Sequence, residues 1–107
     1  MLDKTKVREI AIEYSEEVTK VLNPYKIILF GSYANGNPHS ESDIDIAVLV
    51  TGVDGEDWYN ARIKLQDIRW DKDKFIDIEP HLLDETNDPS GFVEYVIKTG
   101  EVIYQSA

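Results

Sequence analysis

The chain has no cysteine. Disulfides and thiolate zinc sites are therefore excluded, and nothing in its thiol content speaks against a reducing compartment. Basic residues are scarce, with 11 Lys and Arg against 21 Asp and Glu and a net charge of −10 over 107 residues. A protein that grips nucleic acid through its phosphates needs a basic surface, so that class is disfavoured. Setting aside three acids for a metal still leaves 18 against 11, so the surface itself is acidic. A nucleotide would have to arrive with its charge screened. No apolar stretch reaches the length of a secretory or membrane-spanning segment, which sets the expectation of a soluble, cytoplasmic protein. Repeats, low-complexity tracts and linkers are also missing, so one domain over residues 1–107 is expected.

What the chain does have is a punctuated series of short amphipathic elements. From Asp3 to Leu22, Val7, Ile10, Ala11, Tyr14, Val18, Val21 and Leu22 recur at helical spacing until Asn23-Pro24 stops them. Lys26 to Phe30 is a bulky run ended by Gly31, a buried strand feeding a tight turn. Ser32 to Asn35 has room for one helical turn. Asn37 to Ser42 has loop composition, and Asp43 to Val50 resumes as strand. Trp58, Ala61, Leu65 and Ile68 mark a second long helix. Lys74 to Glu79 alternates as a third strand, which Pro80 ends. Phe92 to Ile97 forms a short helix stopped at Gly100, and Val102-Ile103-Tyr104 is a terminal strand or tail. The fold class is α/β (α+β), with helices packed on a small mixed sheet.

The chemistry concentrates between Phe30 and Val48. In an extended chain residues two apart share a face, so Asp43 and Asp45 present two carboxylates together while Ile44 and Ile46 point inward. Like charges held that close call for a cation between them. Hard oxygen donors suit Mg²⁺, which commonly combines one or two carboxylates with substrate phosphates. Transfer of a nucleotidyl group gathers negative charge on the attacking oxygen, the phosphorus and the leaving pyrophosphate. Two metal ions about 4 Å apart, bridged by carboxylates from neighbouring strands, answer that need. Asp77, flanked by Ile76 and Ile78, is the best third acid; Glu79 lies on the same face and could substitute. Gly31-Ser32 lets backbone and hydroxyl approach a phosphate.

Taken together, Gly31-Ser32, Ser42-Asp43-Ile44-Asp45 and Ile76-Asp77-Ile78 resemble the minimal nucleotidyltransferases of the DNA polymerase β superfamily. That signature is Gly-Ser, a loop ending in Ser-Asp-x-Asp, then a third acid on a later strand; Ala34 and Gly36 match its loop as well. Gly-Ser or Asp-x-Asp alone would be a weak signal, and the combination is specific. The resemblance spans most of the chain, from the leading helix to the third strand, and looks like the bare catalytic core without the helical domain of larger relatives. It implies Asp43, Asp45 and Asp77 as catalytic and Mg²⁺-binding acids, and Gly31, Ser32 and Ser42 as the nucleotide-binding segment. ATP is the implied nucleotide and AMP the transferred group, with Asp77 the family-like base. Small members of this kind resemble halves of bacterial two-gene modules whose partner is a small helical HEPN-type protein. By that resemblance the chain is an antitoxin-like enzyme placing AMP on a hydroxyl of its partner. The chain departs from the pattern where relatives carry loop arginine or lysine, since Tyr33 and Asn35 stand there. The rival expectation is a non-catalytic nucleotide- or partner-binding antitoxin or scaffold. Large apolar residues on the helices also allow a homodimer.

Several other residues invite roles and have blander readings. His39 belongs to a polar loop, and His81 follows Pro80 with no evident commitment. Lys72 and Lys74 sit in an alternating Asp-Lys-Asp-Lys turn. Trp58, Tyr59 and Trp70, at helical spacing, read as core or as a partner-facing patch.

Overall fold

A computed structural model describes residues 3–35 and 43–106. Helix α1 runs from Lys4 to Val21, and the Asp3 carboxylate caps it by accepting the Lys6 amide at 2.8 Å. Its buried stripe contains Val7, Ile10, Ala11, Tyr14 and Val18, the helical spacing read from the sequence. Leu22 turns extended, and Pro24 cannot continue a helix. Strand β1 (Lys26–Phe30), the one-turn α2 (Ser32–Asn35) and strand β2 (Ile44–Val50) follow in the expected order. Helix α3 (Gly55–Asp71) then leads to strand β3 (Ile78–Asp84), helix α4 (Phe92–Thr99) and strand β4 (Glu101–Gln105). Gly36, the loop from Asn37 to Glu41 and Ser42 lie outside the described residues.

The four strands form one mixed sheet in the order β3-β2-β1-β4. Strand β1 is antiparallel to β2 and β4, while β2 and β3 are parallel. A parallel pair needs a crossover connection, and α3 supplies it. The terminal segment left open as strand or tail is therefore a strand, paired along β1. Both faces of the sheet are covered, which is why β1 and β2 read as nearly continuous apolar runs. Ile27, Leu29, Ile44, Ile46, Val48 and Val50 face α1 and α3. Ile28, Phe30, Ala47 and Leu49 face α4 through Val93 and Val96.

The third strand differs from its sequence reading. Asp73–Phe75 forms a single 3-10 turn, and the strand begins only at Ile78 and runs through Pro80 to Asp84. Packing overrides alternation here. Phe75 is buried edge-on against Tyr14, with ring centroids 5.4 Å apart, and the Arg69 guanidinium holds the Ile76 carbonyl with bonds of 3.1 and 3.3 Å. Pro80 is tolerated because β3 is an edge strand. The Ile44 amide donates to the Asp77 carbonyl, so in the alternating parallel ladder Pro80 falls outside the row of β3 amides that reach β2.

Candidate active site at the acidic end of the sheet

Three strand ends meet at one edge of the sheet. In register, Phe30 at the end of β1 lies opposite Asp45, and Asp45 lies opposite Glu79 at the start of β3. The Gly31-Ser32 turn, the Asp43/Asp45 pair and the third-strand acids are thereby brought to the same place. Gly31 has φ +80°, a conformation that disfavours any side chain. It also has no room for one: a Cβ there would overlap the Asp45 carboxylate, with Oδ2 the nearest atom. Glycine is required at position 31 because the carboxylate lies against the turn.

Asp43 is exposed just before β2, and Asp45 is half-buried. Asp45 Oδ1 lies 3.2 Å from His81 Nε2. An ionised carboxylate only accepts, which assigns the shared proton to Nε2. The His81 ring packs edge-on to Phe30 at 5.1 Å and sits 6.3 Å from Phe92. His81 was passed over in the sequence because Pro80 was read as the end of the strand. Read through the proline, it falls on the same face as Glu79, two residues on.

Asp77 occupies an exposed turn ahead of β3, not mid-strand, and its backbone carbonyl joins the ladder through Ile44. Glu79 is the residue in register with Asp45, and its carboxylate lies 3.7 Å from the Arg69 guanidinium. Arg69 is the second residue that sequence reasoning missed, since nothing in a helical pattern announces a contact across to a later turn. Among the described residues, no three acidic or histidine side chains are gathered into one ligand cluster. The backbone brings the acids together while other partners hold their ends, Asp45 by His81 and Glu79 by Arg69.

Ser32 is half-buried at the start of α2, and Tyr33 is buried in the core. The side chain at 33 therefore serves packing in the core. Ser42 and His39 lie outside the described residues. Lys74 pairs with Glu13 and Lys72 approaches Glu17 at 3.9 Å, so both lysines face α1 and not the acids. The Lys74 ammonium hydrogen-bonded to Glu13 holds that carboxyl below its ordinary value. Trp58 packs against the core, whereas Tyr59 and Trp70 are exposed. A cleft of about 520 Å³ opens at the far end of β2 and β3, lined by Gly52, Trp58, Asp84 and Asp88 among others. It contains none of the signature residues.

Residues 9–107 match the family described as Polymerase beta, Nucleotidyltransferase. The chain belongs to that family. Nucleotidyl transfer is the chemistry for which that family is named. A Methanocaldococcus jannaschii protein whose name proposes a protein adenylyltransferase is 41% identical over 44 residues. That stretch is 39% of this chain and 44% of the relative, so the match covers less than half of the curated relative's length. Among solved structures, a Sulfolobus solfataricus chain proposed to be a nucleotidyltransferase superposes with a TM-score of 0.70 at 22% identity, covering 95% of this chain and 83% of that one. A toxin-antitoxin crystallised with AMP-PNP gives 0.54 at 24% identity, covering 98% of this chain and 75% of that one. A mutant of the toxin-antitoxin MntA-HpeT gives 0.57 at 24% identity with the same coverage. At these identities the solved structures establish the fold, a mixed sheet with helices on both faces.

Nucleotidyltransferases of this fold generally use a divalent metal ion. The donor set at the acidic end fits one chemically. Every candidate ligand is a carboxylate, and hard oxygen donors match Mg²⁺. The missing Cβ at Gly31 leaves the Asp45 Oδ2 side clear of a competing side chain. No helix among the described residues is long and apolar enough to cross a membrane.

Proposed function

We propose that this nucleotidyltransferase transfers AMP from ATP to a hydroxyl of a partner protein, as the antitoxin-like member of a pair with a small helical HEPN-type protein. The observation that carries this reading is the register of Phe30, Asp45 and Glu79, which sets the Gly31-Ser32 turn and the acids at one sheet end. The adenylyltransferase name of the archaeal relative and the AMP-PNP in the toxin-antitoxin neighbour support adenosine as the nucleoside.

Asp43, Asp45 and Glu79 would hold Mg²⁺, with Glu79 taking the place expected of Asp77 because it is the acid in register with Asp45. When bound, the ion neutralises charge on the triphosphate and favours a deprotonated oxygen nucleophile. The Gly31-Ser32 segment, with Ser42, would receive the phosphates through backbone amides and hydroxyls. The acceptor oxygen forms a new bond to the α-phosphorus, the bond from that phosphorus to the α-β bridging oxygen breaks, and pyrophosphate leaves. The hydroxyl proton passes to a carboxylate of the acidic end.

Calorimetric titration with ATP, with and without Mg²⁺, tests the site. The wild-type protein should bind in a magnesium-dependent way, and the double variant Asp43→Asn/Asp45→Asn should not. Equal binding by the double variant would remove the acids from the site. Neutralisation of the partner by a variant that transfers nothing would support the rival reading, a non-catalytic partner-binding antitoxin.

A further inference from the structure

We propose that His81 is a positioning residue that fixes the Asp45 carboxylate so that one oxygen, Oδ2, is presented to the Gly31-Ser32 turn. The inference rests on the metal-site reading above and adds a residue to it.

The two oxygens of Asp45 have different neighbours. Oδ1 accepts from His81 Nε2 at 3.2 Å, while Oδ2 is the atom closest to where a Gly31 side chain would stand. The terminal torsion of an aspartate is broad and nearly two-fold, so a carboxylate with no partner samples many orientations. A single donor on one oxygen removes that freedom and sends the other toward the turn expected to receive phosphate. His81 can do this because it is itself held. Its backbone is in register with Ala47 in the parallel ladder, and its ring is wedged edge-on against Phe30 with Phe92 beyond. Ligating carboxylates are commonly oriented by such hydrogen bonds, and loss of the outer partner typically costs about 10–100-fold in metal affinity or activity.

The test is Mn²⁺ binding in the presence of a non-hydrolysable ATP analogue, followed by electron paramagnetic resonance of the free ion, for wild type, Asp45→Asn, His81→Phe and His81→Gln. His81→Phe keeps the ring packing and removes the donor. His81→Gln places an amide donor near the former Nε2. Binding should be lost in Asp45→Asn, weakened about 10–100-fold in His81→Phe, and largely kept in His81→Gln. Wild-type affinity in a folded His81→Phe overturns the positioning role and leaves the metal site standing. Wild-type affinity in Asp45→Asn, or no Mn²⁺ binding by the wild type, overturns the metal-site reading and this inference with it. If His81→Phe fails to fold, nitrogen NMR of the wild-type imidazole in mildly alkaline buffer decides the matter. The proton should reside on Nε2, and residence on Nδ1 overturns the proposal.

Discussion

Gly31 and Asp45 share one small volume: the carboxylate of Asp45 lies where the side chain of any other residue at position 31 would be. The glycine of a Gly-Ser turn is ordinarily explained by its tolerance of positive φ or by its welcome to a phosphate. Here a third reason precedes both. The turn is bare so that an acid from the neighbouring strand can lean across it, and this joins the two halves of the signature before any nucleotide arrives.

Gly31→Ala should therefore act twice. The φ of +80° alone costs about 1–2 kcal/mol for a residue bearing a Cβ, which would lower Tm by several degrees. Displacement of Asp45 should also weaken magnesium-dependent ATP binding. Gly52, also at positive φ but with open space around it, is the control. Gly52→Ala should cost similar stability and leave binding unchanged, as calorimetry and thermal melts would show.

The choice of third acid can be decided by paired amide substitutions. Glu79→Gln should reduce transfer about 10²–10³-fold, the loss typical of removing one group that stabilises developing charge. Asp77→Asn, in an exposed turn whose backbone rather than side chain joins the ladder, should change it by only a few-fold. Steady-state rates with labelled ATP make the comparison. The opposite ranking would return the role to Asp77.

Alkaline stability depends on Tyr14. Burial pushes its phenol well above the ordinary tyrosine range, and its hydroxyl donates to the Leu65 carbonyl at 2.8 Å. A group whose folded value is raised leaves the folded state holding more protons once the unfolded chain begins to ionise. The stabilisation is thus complete below about pH 10 and is lost as pH climbs toward the raised value. Tyr25 is shifted in the same direction by burial and by the Glu85 carboxylate. Tyr14→Phe should lose about 1 kcal/mol at neutral pH with its hydrogen bond, yet fall less steeply in stability above pH 10. Urea midpoints across that range measure both effects.

The first half of the fold was legible because each element carries its own punctuation. The helical spacing of Val7 to Leu22 announces α1, Asn23-Pro24 ends it, Gly31 closes β1, and the alternation around Asp43 and Asp45 announces β2. The third strand was misplaced because Phe75 looks like a strand residue and is instead a core anchor under Tyr14, a long-range contact that alternation cannot reveal. Pro80 compounded the error, since a proline stops a central strand but not an edge one, and edge status depends on sheet order. His81 slipped for that reason, while Glu79 already stood as the substitute for Asp77. Their places opposite Ala47 and Asp45 depend on a parallel register with β2, set by a crossover of the length of α3 and written in no local pattern. Membership of the nucleotidyltransferase family, matched over residues 9–107, does not depend on which of the two acids stands third.

The most direct measurement follows the phosphate of ATP. The protein and Mg²⁺ would be incubated with a soluble extract of its native host and ATP labelled at either the α- or the γ-phosphorus, in parallel with the Asp43→Asn/Asp45→Asn variant. The account predicts that only the α-label becomes covalently attached to protein, that the γ-label leaves in pyrophosphate, and that the double variant attaches neither. Attachment of the γ-label, or undiminished α-labelling by the double variant, would contradict it.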